Sequence, residues 1–229
     1  MKKNKNVLVV AAHPDDEVLG CGGTLANLSK KGFNIYAIFI SDGVSARNET
    51  KDIIRRKIEQ RKFAAIKASK ILGCKTPEFL LYPDNRLDQV PLLNIIKKIE
   101  KKIRKIKPET VFTHFDSDLN IDHKLVNKAV ITATRPIKNF PVKKIILFEV
   151  LSSTEWRFSK KENFFQPNFF VDIDKSFKKK ILAAKAYKSE IKAWPHPRSL
   201  QGIKNLAKFR GQTVGKNLAE AFVIARLIK

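Results

Sequence analysis

Cysteine is scarce in this sequence, with Cys21 and Cys74 the two among 229 residues. They form no Cys-x-x-Cys pair and no recognisable disulfide framework, so we expect a reduced compartment. Long apolar runs are also lacking: behind the basic N-terminus, the run that ends before His13 is six residues long. Such a run is too short for a signal-peptide core or a membrane span. We therefore expect a cytoplasmic protein with no membrane-spanning segment.

Acidic residues are few: 22 Asp+Glu stand against 46 Lys+Arg, a formal net charge of +24. A basic excess can indicate a nucleic-acid or anionic-lipid partner. Here the basic residues are spread over many predicted helices, and no aromatic-interleaved basic motif of the RNA-binding type is present. The joint abundance of Lys, Ile, Asn and Phe also fits a coding sequence that drifted towards AT-rich codons. We expect no specific nucleic-acid partner and, at most, long-range attraction of anionic substrates.

Hydrophobic residues make up 43% of the chain, which excludes a disordered protein and fits one α/β domain over residues 1–229. Strands predicted at 7–12, 33–40, 78–82, 109–114 and 144–152 alternate with helices predicted at 17–31, 49–72, 91–106 and 122–134. This alternation predicts a mostly parallel sheet covered by helices. The helical pattern of the second helix, which Gly73 ends, consists of Ile54, Ile58, Phe63, Ala65, Ile66 and Ser69.

The pattern changes after about residue 153, where we predict a small C-terminal elaboration (154–229) on a core of about 5–153. It contains a strand at 168–173, a basic helix at 175–191, a Pro-rich loop at 194–198 and a capped helix at 199–210. Residues 219–228 fit a strand and a helix equally well. No repeat and no linker divides the chain.

The opening strand ends in a cluster of polar side chains: His13, Pro14, Asp15, Asp16 and Glu17. Pro14 cannot continue a β ladder, so the acidic residues fall in the first turn of the next helix. Helix capping alone explains carboxylates there, but a cap does not need an imidazole. The spacing of His13 and Asp16 lets both converge on one ion at the carboxyl end of a central strand.

A second polar cluster, residues 114–123, also follows a predicted strand and begins a predicted helix. His123 from this cluster would complete two histidines and one carboxylate, with a fourth position open for water. That donor set is typical of catalytic zinc sites, although Fe²⁺ could occupy it too. Asp15 then remains free beside the ion, where a general base acting on water is required.

These motifs resemble the LmbE-like (PIG-L type) zinc-dependent N-acetylglucosaminyl deacetylases. The similar segments are Ala12-His13-Pro14-Asp15-Asp16-Glu17, Gly22-Gly23-Thr24, Ser41-Asp42-Gly43 and Asp122-His123, with Glu59, Gly211, Gly215 and Ala219-Glu220-Ala221-Phe222 extending the similarity along the chain. The resemblance implies a Rossmann-like sheet with helices on both faces and hydrolysis of N-acetyl groups on amino sugars or their conjugates. It also implies His13, Asp16 and His123 as zinc ligands and Asp15 as general base.

The resemblance suggests further catalytic residues. Arg47 lies about where the family supplies an arginine for the tetrahedral oxyanion, and a surface arginine in a flexible loop is the alternative. Asn120 stands where the family usually has a histidine; it could donate a hydrogen bond to the oxyanion but cannot act as an acid. Asp122 either orients a ligand imidazole or caps its helix.

Substrate contacts are assigned to loops at strand ends. Asn85 and Arg86, in the loop after the third predicted strand, could line the substrate pocket or form a simple turn. His196, flanked by prolines, and Arg198 nearby could reach into the site from the C-terminal loop. His114 is expected to be a packed structural residue at the end of its strand.

The sequence therefore predicts a zinc-dependent hydrolase that removes an N-acetyl group from an amino sugar, with a substrate that could carry phosphate. Two alternatives remain open: a zinc amidohydrolase acting on a non-sugar N-acyl substrate, and a basic nucleic-acid-binding protein with a vestigial metal site. The resemblance also allows a homo-oligomer.

Overall fold

A computed structural model describes residues 5–138, 140–158 and 164–228. Residues 1–4 and 229, which the predicted domain includes, lie outside the described residues. The strands are β1 Asn6–Ala11, β2 Asn34–Ser41, β3 Glu78–Tyr82, β4 Thr110–His114, β5 Lys144–Phe148, β6 Phe169–Asp172 and β7 Ala219–Leu227. The helices are α1 Asp16–Lys30, α2 Lys51–Leu72, α3 Leu92–Ile106, α4 Ile121–Ala133, α5 Phe177–Ala186 and α6 Leu200–Gln212. The predicted α/β alternation is confirmed.

All seven strands form one sheet in the order β3-β2-β1-β4-β5-β7-β6. Strands β1 to β5 pair in parallel, whereas β7 runs antiparallel to both β5 and β6. The chain leaves β1 towards β2 and β3 and later continues from β4 to β5 on the other side. The strand order therefore reverses between β1 and β4, and a crevice forms there at the carboxyl ends of both strands.

Strand β1 is the centre of the hydrophobic core. Successive residues of a strand point to opposite faces, and Val7 and Val9 accordingly join one core cluster while Leu8 and Val10 join the other. The first cluster packs under α1, α2 and α5, and the second under α3 and α4. Helices thus cover both faces, which explains why β1 is an uninterrupted apolar run.

The buried face of α2 includes only part of the predicted pattern, such as Ala65 and Ser69. Phe63 and Ile66 are 70% and 42% exposed, whereas the buried positions include Arg61, Ala65 and Ala68. The apolar pattern was misleading because a charged side chain occupies the buried stripe. Arg61 is stabilised there by an ion pair and by backbone carbonyls, as described below, and a sequence pattern cannot reveal those partners.

The segment after residue 153 adds to the same sheet. The ambiguous segment 219–228 contains β7 (Ala219–Leu227), which lies between β5 and the edge strand β6 and joins β6 to the sheet. Helix α5 is shorter than predicted, because the chain turns at Tyr187 after Ala186. Among the described helices, none is sufficiently long and apolar to cross a membrane.

Candidate active site

The link between β1 and α1 is a tight, buried turn. Asp16 Oδ2 accepts a hydrogen bond of 2.8 Å from the backbone N–H of His13, which ties the two residues together. Asp15 between them has φ 136°, a conformation that L-residues rarely adopt and that costs about 1–3 kcal/mol. Its backbone N–H donates to Glu17 Oε2 at 3.0 Å. Such strain is retained where the surrounding structure fixes the residue, and functional sites are common examples.

The link between β4 and α4 is organised by Asn120. Its side-chain oxygen accepts from the backbone N–H groups of Asp122 and His123, at 2.8 Å and 3.4 Å. Asn120 is therefore the N-cap of α4, and this cap fixes the first turn of the helix. His123, in that turn, is fully buried and lies at the crevice between β1 and β4.

Three donor atoms from these two links converge. His13 Nδ1 lies 3.2 Å from His123 Nε2 and 3.3 Å from Asp16 Oδ2, and His123 Nε2 lies 3.4 Å from Asp16 Oδ2. A tetrahedral ion with ligand bonds of about 2.05 Å separates its ligand atoms by roughly 3.3 Å. The three edges therefore match one face of a tetrahedral site. Asp16 Oδ1 is buried and finds no hydrogen-bond partner among the described residues, which also fits a missing cation.

In both histidines of the triangle, the second ring nitrogen contacts a carboxylate. Asp122 Oδ2 and Asp84 Oδ1 lie 3.2 Å and 3.1 Å from His13 Nε2. Asp118 Oδ1 lies 3.2 Å from His123 Nδ1. Carboxylates in this position fix the tautomer and orientation of ligand histidines and raise their basicity. Neither Asp84 nor Asp118 has a role predicted from the sequence, although both follow the carboxyl ends of parallel strands, and that position is the signal that could have indicated them.

His13, Asp84 and Asp122 could also form a second three-ligand group. However, the Asp122 oxygens already accept from two backbone N–H groups, those of Asn85 and Leu87, at 2.8 Å and 3.1 Å. This arrangement suits a carboxylate that holds His13 in place rather than a ligand. Asp122 does not cap α4, because Asn120 does, so the contacts favour the first of the two roles considered for Asp122.

The protonation of the cluster follows from its charges. Burial lowers the pKa of His13, but Asp122, Asp16 and Asp84 outweigh it and raise the pKa well above its ordinary value. Burial raises the pKa of Asp16, yet His123 and His13 reverse this and hold the pKa well below its usual range. Asp16 is therefore an anion that faces two basic imidazoles, as a metal-binding carboxylate should be.

His114 packs against His123, one of the three residues of the triangle. It is fully buried, its ring lies 3.9 Å from the His123 ring, and its Nε2 accepts from the Ala12 backbone N–H at 2.8 Å. Burial and the neighbouring His123 hold the pKa of His114 well below its ordinary value. A neutral imidazole that accepts a backbone hydrogen bond fits the packing role expected for His114.

Asp15 lies beside this cluster in a positively charged corner. Its Oδ2 accepts from Arg198 Nη1 at 3.1 Å and lies 3.8 Å from Arg61 Nη1. Burial raises the pKa of Asp15 to about 6, although Arg198 and Arg61 oppose the shift. A carboxylate with a pKa near 6 is ionised at neutral pH and still basic enough to accept a proton.

Glu190 holds the arginines of this corner. It forms an ion pair with Arg61, accepts from Arg47 at 3.1 Å and lies 3.8 Å from Arg198. Arg61 also donates to the Pro14 carbonyl at 2.8 Å and so braces the turn that carries Asp15. Arg61 and Glu190 could not be predicted as site residues, because neither lies in a motif and they pair only in the folded structure.

A cleft of about 250 Å³ opens onto these groups. Its lining residues are His13, Asp15, Gly43, Ala46, Arg47, Arg61, Asp84, Asn85, Asn120, Glu190 and Arg198. The predicted residues Arg47, Asn85, Asn120 and Arg198 therefore meet in one cleft with His13 and Asp15. Asp16, Asp122 and His123 lie buried behind it.

Two of the residues predicted to bind substrate do not line this cleft. Arg86 is exposed at the start of a short helical turn. His196 uses its Nδ1 to accept from the Arg198 backbone N–H at 3.0 Å, and its ring packs edge-on against Trp156. His196 therefore contacts the loop that carries Arg198.

The fold and the site define an α/β protein with a candidate two-histidine, one-carboxylate metal centre at the switch point of its sheet. Residues 8–134 match the family model described as "PIG-L: GlcNAc-PI de-N-acetylase". The chain belongs to this family and is a deacetylase, a hydrolase of a metal-dependent family.

Relatives agree with this assignment. "Uncharacterized deacetylase YaiS" of Escherichia coli K12 is 34% identical over 193 residues, 82% of this chain and 92% of that protein. "Probable N-acetyl-alpha-D-glucosaminyl L-malate deacetylase 2" of Bacillus cereus is 25% identical over 82% of this chain and 85% of that protein. The inhibitor complex of N,N'-diacetylchitobiose deacetylase from Pyrococcus horikoshii shares the fold, with a TM-score of 0.79 and 23% identity over 98% of this chain and 85% of that chain.

Proposed function

We propose that the protein is a zinc-dependent hydrolase that removes an N-acetyl group from an amino sugar or an amino-sugar conjugate. The observation that carries the proposal is the triangle of His13 Nδ1, Asp16 Oδ2 and His123 Nε2 with Asp15 in the same cleft. The names of two relatives, which refer to a glucosaminyl malate and to diacetylchitobiose, support an amino-sugar substrate.

Zinc is the proposed ion because two imidazoles and one carboxylate at tetrahedral spacing are a common zinc donor set. When bound, zinc would act as a Lewis acid on the amide carbonyl and lower the pKa of a water molecule. Fe²⁺ suits the same donors and is the alternative. Apo-protein reconstituted with each ion separates the two, and we expect acetate release to follow the zinc content.

In this proposal Asp15 is the general base, and its free oxygen accepts the proton of the attacking water. Arg198 Nη1 donates to the other carboxylate oxygen, Oδ2, at 3.1 Å, and its positive charge favours the ionised form of Asp15. Asp15 then returns the proton to the nitrogen of the leaving amine. Asp15 carries this proton between the two steps, so its carboxylate is ionised again at the end of each cycle.

The proposed oxyanion contacts come from Arg47 and Asn120. Arg47 lies at the rim, half-exposed and bound to Glu190, so it can reach the cleft without leaving its partner. Asn120 caps α4 with its oxygen, and its Nδ2 donates to Asn85 Oδ1 at 2.9 Å in the cleft. A substrate oxygen would have to replace Asn85 as the acceptor of this N–H group.

The proposed base predicts a pH dependence. Asp15 must be ionised to accept a proton, so kcat/KM should fall roughly tenfold per pH unit below a pKa of about 6. Arg198 lowers the pKa of Asp15, so Arg198→Ala should move this acid limb to higher pH. Arg86→Ala, an exposed arginine outside the cleft, is the control. If the acid limb of the kcat/KM profile stays at the wild-type pH in Arg198→Ala, this limb does not report the ionisation of Asp15.

The carboxylate behind His123 gives a second prediction. Asp118 is buried and accepts from Thr154 Oγ1 at 2.6 Å, so it is fixed in position. Asp118→Asn should weaken zinc binding by about 10- to 100-fold, because His123 loses its anionic partner. Competition with a chromophoric chelator measures this affinity. The control is Asp116→Asn, which changes an exposed aspartate. Equal zinc affinities in the two variants would show that Asp118 does not contribute to zinc binding.

The substrate class is tested by acetate release from matched N-acetyl compounds. We expect turnover of N-acetylated amino-sugar glycosides and little turnover of N-acetyl amino acids or N-acetylated thiol conjugates. The opposite preference would favour the amidohydrolase with a non-sugar substrate. The cleft of about 250 Å³ has room for a small polar group such as an acetamidosugar.

A further inference from the structure

A second cavity of about 450 Å³ lies beside the cleft. We call it the α2 groove; its lining residues are Val44, Arg47, Lys57, Gln60, Arg61, Phe63, Ala64, Lys67, Ala186, Tyr187, Lys188 and Ser189. Arg47 and Arg61 line both the groove and the cleft. The two cavities are therefore neighbours that share the side chains of Arg47 and Arg61.

The α2 groove is basic. Five of its lining side chains are cationic and none is acidic. Arg47, Lys57 and Arg61 already pair with Glu190 or Glu49. Lys67 and Lys188 are exposed and have no carboxylate partner among the described residues. Both line the same cavity, Lys67 from α2 and Lys188 from the segment just after α5.

The groove also presents an aromatic ring. Phe63 is 70% exposed and lies among these lining residues. Single exposed apolar residues are ordinary on protein surfaces, but this one lines the same cavity as two cations without a carboxylate partner among the described residues. Sugar-binding pockets combine apolar ring faces with a few polar groups, and the C–H face of a sugar ring packs well on an aromatic ring.

The spacing indicates where the anion would lie. Lys67 is six residues beyond Arg61 on α2, which corresponds to roughly 9 Å along the helix axis. Lys67 lines the groove and not the cleft, so an anion bound at Lys67 belongs to a second ring and not to the N-acetylated ring in the cleft. A substrate of disaccharide size would therefore span the two cavities.

We propose that the α2 groove is a substrate subsite for an acidic sugar ring joined to the N-acetylated amino sugar. This inference rests on the proposed function. The ring packs on Phe63, and its carboxylate or phosphate binds Lys67 and Lys188. The preferred substrate is then an acidic disaccharide unit, and the neutral disaccharide is a poorer one.

The test compares kcat/KM for three substrates: an N-acetylglucosamine methyl glycoside, a neutral disaccharide, and the same disaccharide with a carboxylate at C6 of its second ring. Two exposed charge contacts should favour the acidic disaccharide by about tenfold, chiefly through KM. Added salt should reduce this preference. A 6-phosphate analogue in parallel identifies which anion binds better.

Variants locate the preference in the groove. Lys67→Glu combined with Lys188→Glu should abolish or reverse the ratio between acidic and neutral disaccharides. Lys70→Glu on α2 combined with Lys185→Glu on α5, both outside the groove lining, should leave the ratio unchanged. Phe63→Ala should lower the ratio of disaccharide to monosaccharide turnover for both disaccharides.

The outcomes separate this inference from the proposed function. Equal kcat/KM for acidic and neutral disaccharides, or the same loss in both lysine pairs, overturns the subsite while the deacetylase proposal stands. No acetate from any of the three zinc-loaded reactions overturns the proposed amino-sugar activity and the subsite with it.

Discussion

Asp15→Asn is expected to lower kcat for acetate release by a factor of about 10²–10⁴, the usual contribution of a general base. The zinc content should stay at the wild-type value, because Asp15 is outside the three-atom triangle. Asparagine has the same shape as aspartate, so it should fit the backbone that Asp15 already adopts at φ 136°. The substitution removes the proton acceptor and, with it, the negative charge beside Arg198 and Arg61.

The control for Asp15→Asn is Arg198→Lys, which keeps a positive charge beside the carboxylate but loses the planar guanidinium. It should retain far more activity than Asp15→Asn. The pH profile adds a second readout, since the acid limb near pH 6 should disappear when Asp15 is replaced. An Asp15→Asn protein with wild-type kcat and full zinc would show that another group accepts the proton.

His123→Ala is expected to abolish metal binding and activity. The variant leaves His13 and Asp16 as two donors, and two donors do not hold zinc at a catalytic site. It also leaves the buried Asp118 without its imidazole partner and removes one of the two imidazoles that face Asp16, which should cost about 3–5 kcal/mol of stability in the metal-free protein. Metal analysis and urea unfolding of the apo-protein measure the two effects separately.

His196→Ala is the matched control for His123→Ala. It removes an imidazole that lies outside the triangle and contacts the Arg198 loop. Its zinc content should remain at about one ion per chain, as expected for a single catalytic site. Equal metal content in both variants, with His123→Ala shown to be folded by circular dichroism, would place the ion elsewhere in the protein.

Much of this fold could be predicted from the sequence because its signals are local. The apolar run from Val7 onwards indicates a doubly buried strand, and Gly73 ends α2 in a left-handed conformation. The convergence of His13 and Asp16 with His123 also follows from a local rule. Both clusters follow parallel strands, and the carboxyl ends of parallel strands meet at one edge of the sheet.

The remaining parts depend on tertiary pairing. Arg61 occupies a buried position on α2 because the carboxylate of Glu190 neutralises its charge. Glu190 lies 129 residues later in the sequence. Asp84 and Asp118 orient imidazoles from loops whose lengths no periodicity predicts. A buried charged residue of this kind can be predicted only when its partner in the folded structure is known. An apolar stripe can be predicted from its own segment of the sequence.

The central claim is that two clusters, 110 residues apart, form one metal centre. The most direct measurement is an anomalous difference map from crystals of the zinc-loaded protein, recorded at the zinc absorption edge. The account predicts one peak within about 2.0–2.2 Å of His13 Nδ1, Asp16 Oδ2 and His123 Nε2. A peak bound instead by Asp84, Asp122 and His13 Nε2, or no peak at either position in active protein, would contradict it.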